Sequence, residues 1–165
     1  MTATVDVRAL GVADVEDYRT IRLSALQTAP EAFGAVYAVE AAKPMESHEE
    51  RLTSSMVFGA YDSGRIVGLI GLRSEQGLKE AHKGFVWGFY VEAACRGVGV
   101  GGALIEAVLA AARGVVEQLT LTVVEENRGA IRLYERFGFV RYGVEPRALK
   151  SDAGYSNEVL MVRFL

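Results

Sequence analysis

Arg96-Gly97-Val98-Gly99-Val100-Gly101-Gly102 places four glycines in six positions, just ahead of an amphipathic run. Glycine lets backbone N–H groups approach an anion closely. A helix that starts in such a loop adds the partial positive charge of its N-terminus. The chemistry on offer is phosphate binding. Other reactive side chains are sparse. Cys95 is the one cysteine, beside Arg96, which supplies charge but no base, and it reads as structural. His48 and His82 lie 34 positions apart with no cysteine or acidic cluster near them, so no metal site is expected.

The elements that must hold this loop are legible around it. Gly84 to Glu92 carries Val86, Trp87, Phe89, Tyr90 and Val91 and reads as a central strand buried on both faces. After the loop, Leu104, Ile105, Val108, Leu109 and Ala112 share a helical face that Arg113 and Gly114 close. Leu119 to Val124 is the next strand. Asn127 then caps a helix bearing Ile131, Leu133, Tyr134 and Phe137, and Gly138 stops it.

Upstream, Thr4 to Ala9 reads as a strand, and Val15 to Gln27 as a helix capped by Asp14 with Asp17 three residues on. Short helices are expected around Glu31 to Ala41 and Glu46 to Ser54. Met56 to Tyr61 and Arg65 to Arg73 form a hairpin through Asp62-Ser63-Gly64. Gly68 and Gly71 point to a bulge or a close backbone approach there. Phe139 to Val144 is a strand, Pro146 to Gly154 a loop, and Glu158 to Phe164 a last strand. The order predicts one α/β (α+β) domain over residues 1–165, with a mixed central sheet of about seven strands and flanking helices.

Two phosphate fingerprints overlap in the loop. Gly97, Gly99 and Gly102 fit the dinucleotide pattern G-x-G-x-x-G, with Glu125 about 20 residues on. That pattern normally follows its strand directly, whereas Glu92 to Arg96 intervene here. Too few βα units remain after Glu125, and the N-terminal half supplies an antiparallel hairpin. No Gly-Lys-Ser/Thr follows, which excludes a P-loop. The other pattern is Arg/Gln-x-x-Gly-x-Gly/Ala, met by Arg96, Gly99 and Gly101.

With that pattern, and with Asn127-x-x-Ala130-Ile131-x-Leu133-Tyr134-x-x-x-Gly138-Phe139 in its place after the next strand, the chain resembles the GNAT superfamily of acetyl-CoA-dependent N-acetyltransferases. The resemblance runs from Met56 onward and, more loosely, over the first helix. It implies a sheet splayed between the strands at Gly84–Val91 and Leu119–Val124, with the pantetheine arm of acetyl-CoA in the gap. Backbone groups of Phe89 and Val91 would pair with that arm. The N–H groups of Gly97, Val98, Gly99, Gly101 and Gly102 would hold the pyrophosphate. Arg96 would add charge or brace the turn, and Asn127 and Tyr134 would contact the cofactor. A dimer is a further implication.

The implied reaction is direct acetyl transfer to a primary amine. An alkyl amine has a pKa near 10 and must lose a proton first. Tyr134 is the expected acid for the departing thiolate; at helical spacing alone it would read as a core aromatic. Glu92, at the strand end, is the expected base, with Tyr90, Glu125, Glu31 and His82 as alternatives. Trp87 and Tyr90 pack in the core or line the acceptor pocket. Residues 30–51 read first as an irregular helical connection with a solvated acidic face; the alternative is a wall over the acceptor pocket, with carboxylates that attract an amine. Peptide or protein N-termini, lysines, polyamines, amino acids and aminoglycoside-like amines all stay open as acceptors. The alternative is an acyl-CoA-binding regulatory domain without catalysis.

Composition sets the outer bounds. Half of the 165 residues are apolar and 24% are charged, as in a globular protein with a real core. A net charge of −3 gives no general grip on nucleic acid or an anionic membrane. The start has no basic stretch followed by an apolar core, and no apolar run reaches about 18 residues. With one cysteine and no disulfide framework, a cytoplasmic protein is expected.

Overall fold

The computed structural model describes residues 4–165. Residues 1–3, where the stretch considered for a leader begins, lie outside the described residues. The elements run β1 (Asp6–Ala9), α1 (Val15–Thr28), α2 (Tyr37–Ala42), α3 (Met45–Ser54), β2 (Met56–Asp62), β3 (Arg65–Ser74), β4 (Lys83–Val91), α4 (Val100–Ala112), β5 (Gln118–Val124), α5 (Arg128–Arg136), β6 (Val140–Ser151) and β7 (Gly154–Phe164). Their seven strands form one sheet in the order β1-β2-β3-β4-β5-β7-β6. Only β4 and β5 pair in parallel; the other neighbours are antiparallel. This is the mixed seven-stranded sheet with flanking helices that the sequence predicts.

Helices on both faces explain the continuous apolar run of β3. Ile66 and Leu69 pack with Tyr18, Ile21 and Ala25 of α1 and Leu52 of α3. Val67, Ile70 and Leu72 pack with Leu104, Ile105 and Val108 of α4 and Ile131 of α5. A strand covered on both sides has no polar face to alternate with. The β2–β3 turn has Ser63 at φ 51° and Gly64 at φ 80°. Two positive φ values suit a two-residue hairpin loop of type I′.

The sheet opens in its middle. β4 and β5 pair only at Lys83↔Gln118, Gly84↔Leu119 and Phe85↔Thr120. Further along, β5 keeps its register with β7 through Val124↔Glu158, and β4 keeps its own with β3 through Gly68↔Val91. The two strands therefore diverge with each held by its outer neighbour. A bulge in β4 drives the divergence. Gly71 faces Trp87 and Leu69 faces Tyr90, so two residues of β4, Gly88 and Phe89, oppose the single Ile70 of β3, and Gly88 has φ 68°. Such a bulge bends and twists its strand. The Trp87 ring also lies across Gly71, where a Cβ would come within 2.2 Å of it.

Three sequence expectations differ from the structure. Asp14 does not cap α1; its carboxylate accepts hydrogen bonds from the Gly11 N–H at 2.8 Å and from Arg8 Nη2 at 2.9 Å, tying β1 to the helix entry. The helix expected over Glu31 to Ala41 is a 3-10 turn at Pro30–Ala32 and the short α2, parted where Phe33 turns extended and packs into the core. Pro146 to Gly154 is not a loop, because β6 and β7 pair along most of their length. Its register is irregular between Glu145 and Leu149, and most of β6 is exposed, so no alternation marks it. Gly68 and Gly71 do mark a close approach and a bulge, as expected: a Cβ on Gly68 would lie 3.2 Å from the Tyr90 carbonyl oxygen, and β3 carries an extra residue, Val67, against β2.

Candidate active site

The glycine loop owes its shape to two left-handed residues. Gly97 has φ 79° and Gly99 φ 94°. L-residues avoid this region because their Cβ crowds the backbone. Gly99 is the N-cap of α4. Nothing lies within 4 Å of where a Cβ would sit on either residue, so their backbone stands open. At Gly101 a Cβ would meet Leu133 Cδ2 at 2.9 Å and Phe89 Cζ at 3.1 Å, and at Gly102 Phe137 Cζ at 3.3 Å. The absence of side chains there lets α4 seat closely against α5 and β4.

Gly97, Gly99, Gly101 and Gly102 line a cleft of about 1180 Å³. Arg96, Phe89, Val91 and Asn127 line it too. Arg96 Nε donates to the Val91 carbonyl at 2.8 Å, so its side chain braces the loop against the strand end. Val98 does not line the cleft and is 69% exposed. A bare, cationic cradle at a helix start, beside a long cleft, fits a pyrophosphate with an attached arm.

A second cleft, of about 230 Å³, reaches the same gap from the other side. Phe33, Phe89, Asn127 and Ala130 line both clefts, so the two meet between β4 and β5. The Glu92 N–H donates to Val67 O on β3. By alternation, the Val91 N–H turns to the gap, and Phe89 follows the bulge on the same strand.

Tyr134 lines the narrower cleft. It is 5% exposed, and its ring packs against Phe89 and Phe139 at 5.5 Å and 5.6 Å. Burial pushes the phenol's pKa up. Asn127 Oδ1 accepts from the Ala130 N–H at 3.3 Å, capping α5 and fixing where that helix, and Tyr134 on it, begins.

The expected base is not brought to this place. Glu92 lines neither cleft, and Arg65 Nη1 donates to its carboxylate at 2.7 Å. Among the alternatives, Tyr90 shares a hydrogen bond with Thr28 at 2.7 Å, and Glu125 accepts one from Asn157 at 3.1 Å. Glu31 lines only the larger cleft, and His82 neither. The carboxylate in the narrower cleft is Glu158 of β7. Sequence reading passes over it because it stands among polar residues at a strand start.

The segment from Ala32 to Ala35 does wall the narrower cleft, but its neighbouring acids do not line it. Glu40 is buried; burial alone would raise its pKa, yet a hydrogen bond from Lys43 and the nearby Arg22 hold it below the usual range. The cleft instead takes Arg22, Arg51 and Arg73. Arg22 was legible in principle, as a charge set amid Tyr18, Ile21, Ala25 and Leu26 on the apolar face of α1.

Among the described residues no helix is long and apolar enough to cross a membrane. No group of three or more His, Cys, Asp or Glu placed to hold a metal occurs among them.

The model of the acetyltransferase (GNAT) family matches residues 22–139. Solved structures similar to this chain include a GNAT-family acetyltransferase from Streptococcus pneumoniae, 20% identical with TM-score 0.86 over 98% of this chain and 99% of that one. A GCN5-related N-acetyltransferase from Kribbella flavida is 26% identical, with TM-score 0.80 over 98% of both chains. A ribosomal-protein-alanine N-acetyltransferase from Brucella melitensis is 20% identical, with TM-score 0.83 over 97% of this chain and 99% of that one. No curated protein matches the sequence significantly.

Proposed function

The chain belongs to the acetyltransferase (GNAT) family, an acyltransferase by that membership, and we propose on that premise that it transfers the acetyl group of acetyl-CoA directly to a primary amine. The observation that carries the proposal is the meeting of two clefts at the gap between β4 and β5, with a phosphate cradle at the end of one and Tyr134 in the other. Acetyl-CoA supplies an acyl thioester that an uncharged amine can attack.

The protein's residues divide the remaining work. The N–H groups of Gly97, Val98, Gly99, Gly101 and Gly102 hold the pyrophosphate, with Arg96 bracing the loop. Peptide groups of Phe89 and Val91 align the arm as an added strand would. A backbone N–H in the same stretch takes the carbonyl oxygen as charge develops on it. Glu158, in the narrower cleft, removes the amine proton directly or through water.

As the C–N bond forms and the C–S bond breaks, the Tyr134 phenol gives its proton to the thiolate sulfur. The proton released by nitrogen returns to Tyr134 through solvent. The products are one amide and one thiol, so the protons balance. Glu92 has no part in this reading, since its carboxylate is engaged with Arg65 away from both clefts.

Initial-rate kinetics test the reading: acetyl-CoA and a panel of primary amines are varied together, free thiol is followed, and the acetylated amine is identified by mass. Intersecting reciprocal plots with amide as product are expected. Parallel plots with an acetylated protein intermediate, or no amine-dependent thiol release, would overturn it.

A further inference from the structure

The narrower cleft carries a charge pattern that acetyl transfer by itself does not require. Arg22 from α1, Arg51 from α3 and Arg73 from β3 line it, against one carboxylate, Glu158. Arg22 is the telling member. It is 9% exposed, and its Nε is buried without a hydrogen-bond partner. Glu40 comes no nearer than 3.8 Å, and bonds Lys43 at 2.8 Å through its other oxygen. Arginine keeps its proton in proteins, so this buried cation stays charged. A charge taken out of water this far calls for an anion in hydrogen-bonding geometry, which Glu40, shared with Lys43, does not give it. Its Nη1 lies 3.6 Å from where a Cβ would sit on Gly88, so the guanidinium reaches the bulge of β4 that forms part of the cleft.

Arg51 and Arg73 are in no ion pair among the described residues. Arg51 lies 5.0 Å over the Trp87 ring, with Arg22 at 5.7 Å from the same ring, and Arg73 lies 4.7 Å over Phe85. Aromatic faces position these cations without neutralising them. Surface arginines also lie on rings for packing alone. Arg22 is buried in the same cleft with its Nε free of any hydrogen bond and only a loose ion pair to Glu40 at 3.8 Å, and packing does not account for it.

Building on the acetyl-transfer reading, we infer that the acceptor is a small amine that also carries an acidic group, as an amino acid does, with the acid held among Arg22, Arg51 and Arg73. Guanidinium forks match the two oxygens of a carboxylate, and also those of a phosphonate. The amine then points along the cleft towards Glu158 and Tyr134. About 230 Å³ is the volume of roughly seven or eight water molecules at ~30 Å³ each, which suits a ligand of amino-acid size. Three cations against one anion disfavour polyamines and aminoglycosides, two acceptor classes that the sequence leaves open.

Calorimetry on the protein saturated with CoA tests this without turnover. The probes are the standard amino acids, their decarboxylated amines, their amides, and aminoalkylphosphonates. The best acid-bearing amine is expected to bind at least about tenfold tighter than its decarboxylated and amide counterparts, and the carboxylate and phosphonate arms tell which acid is preferred. Arg51→Gln and Arg73→Gln are each expected to weaken that ligand by about tenfold, leaving CoA affinity and the binding of neutral amines unchanged. Arg22→Gln is expected to do the same, and the two more exposed sites decide the matter if it fails to fold. Equal binding across the matched series, preference for a neutral or polycationic amine, or no binding by any member would overturn the inference. Acid-selective binding with no thiol release from acetyl-CoA would leave the inference standing and sink acetyl transfer instead.

Discussion

Arg96 Nε donates to the carbonyl oxygen of Val91 at 2.8 Å, joining the first residue of the glycine loop to the last residue of β4. The bond fixes the distance between the glycine loop and the strand edge that faces the gap. It gives Arg96 a bracing role, whatever its charge adds. Arg96→Ala is expected to raise KM for acetyl-CoA by about tenfold or more, the value of one charge-assisted hydrogen bond, with a smaller effect on kcat. Arg96→Gln keeps a donor for Val91 and should recover most of the affinity. Steady-state kinetics on the two variants check this.

The loop glycines separate into two kinds of constraint. Gly99→Ala places an L-residue at φ 94° with open space around it, so the cost is backbone strain of about 1–2 kcal/mol and a methyl group at the cradle. A lower Tm and weaker CoA binding should follow, with kcat at saturation little changed. Gly101→Ala has ordinary backbone but pushes on Leu133 and Phe89. Phe89 packs on Tyr134, so this variant should lose kcat as well. Thermal melts with kinetics distinguish the two.

Much of this cradle and its supports is legible in the sequence because each part has a strong local signal. Glycines at 97, 99, 101 and 102 crowd one turn, Asn127 precedes a clean helical pattern, and Ser63-Gly64 marks a hairpin. The acceptor side has no such signal. Arg22, Arg51, Arg73 and Glu158 come from α1, α3, β3 and β7, and only the folded sheet gathers them. The bulge at Gly88 was equally hidden, since one glycine in a strand does not say which partner slips. Glu92 looked well placed by its position after β4, yet Arg65 on the neighbouring strand draws its carboxylate away.

Tyr134→Phe should lower kcat roughly 100- to 10,000-fold while leaving KM for acetyl-CoA nearly unchanged, as for loss of a general acid. Desolvation raises the phenol's pKa above its ordinary value near 10, so it remains protonated through neutral and mildly alkaline pH. The wild-type rate should therefore rise with pH as the amine loses its proton, with no fall assignable to Tyr134 below about pH 10. A pH–rate profile in both proteins tests the assignment.

His48 makes stability depend on pH. It is 1% exposed, packs edge-on to Tyr18 at 6.0 Å, and its Nε2 has no hydrogen-bond partner. Burial lowers its pKa below the usual 6.5, with Glu40 opposing and Arg19, Lys43 and Arg22 assisting. The unfolded chain then binds the extra proton first, so stability is full above about pH 6.5 and falls as pH drops towards the folded value. His48→Gln should flatten that slope between about pH 6.5 and 5, before the carboxylates titrate. Denaturant unfolding at a series of pH values measures it.

The most direct test of the account is a crystal structure with CoA bound. It should place the pyrophosphate on the N–H groups of Gly97 to Gly102, the arm beside Phe89 and Val91, and the sulfur within hydrogen-bond reach of the Tyr134 hydroxyl. A sulfur directed away from the gap between β4 and β5, or CoA bound outside the larger cleft, would contradict it.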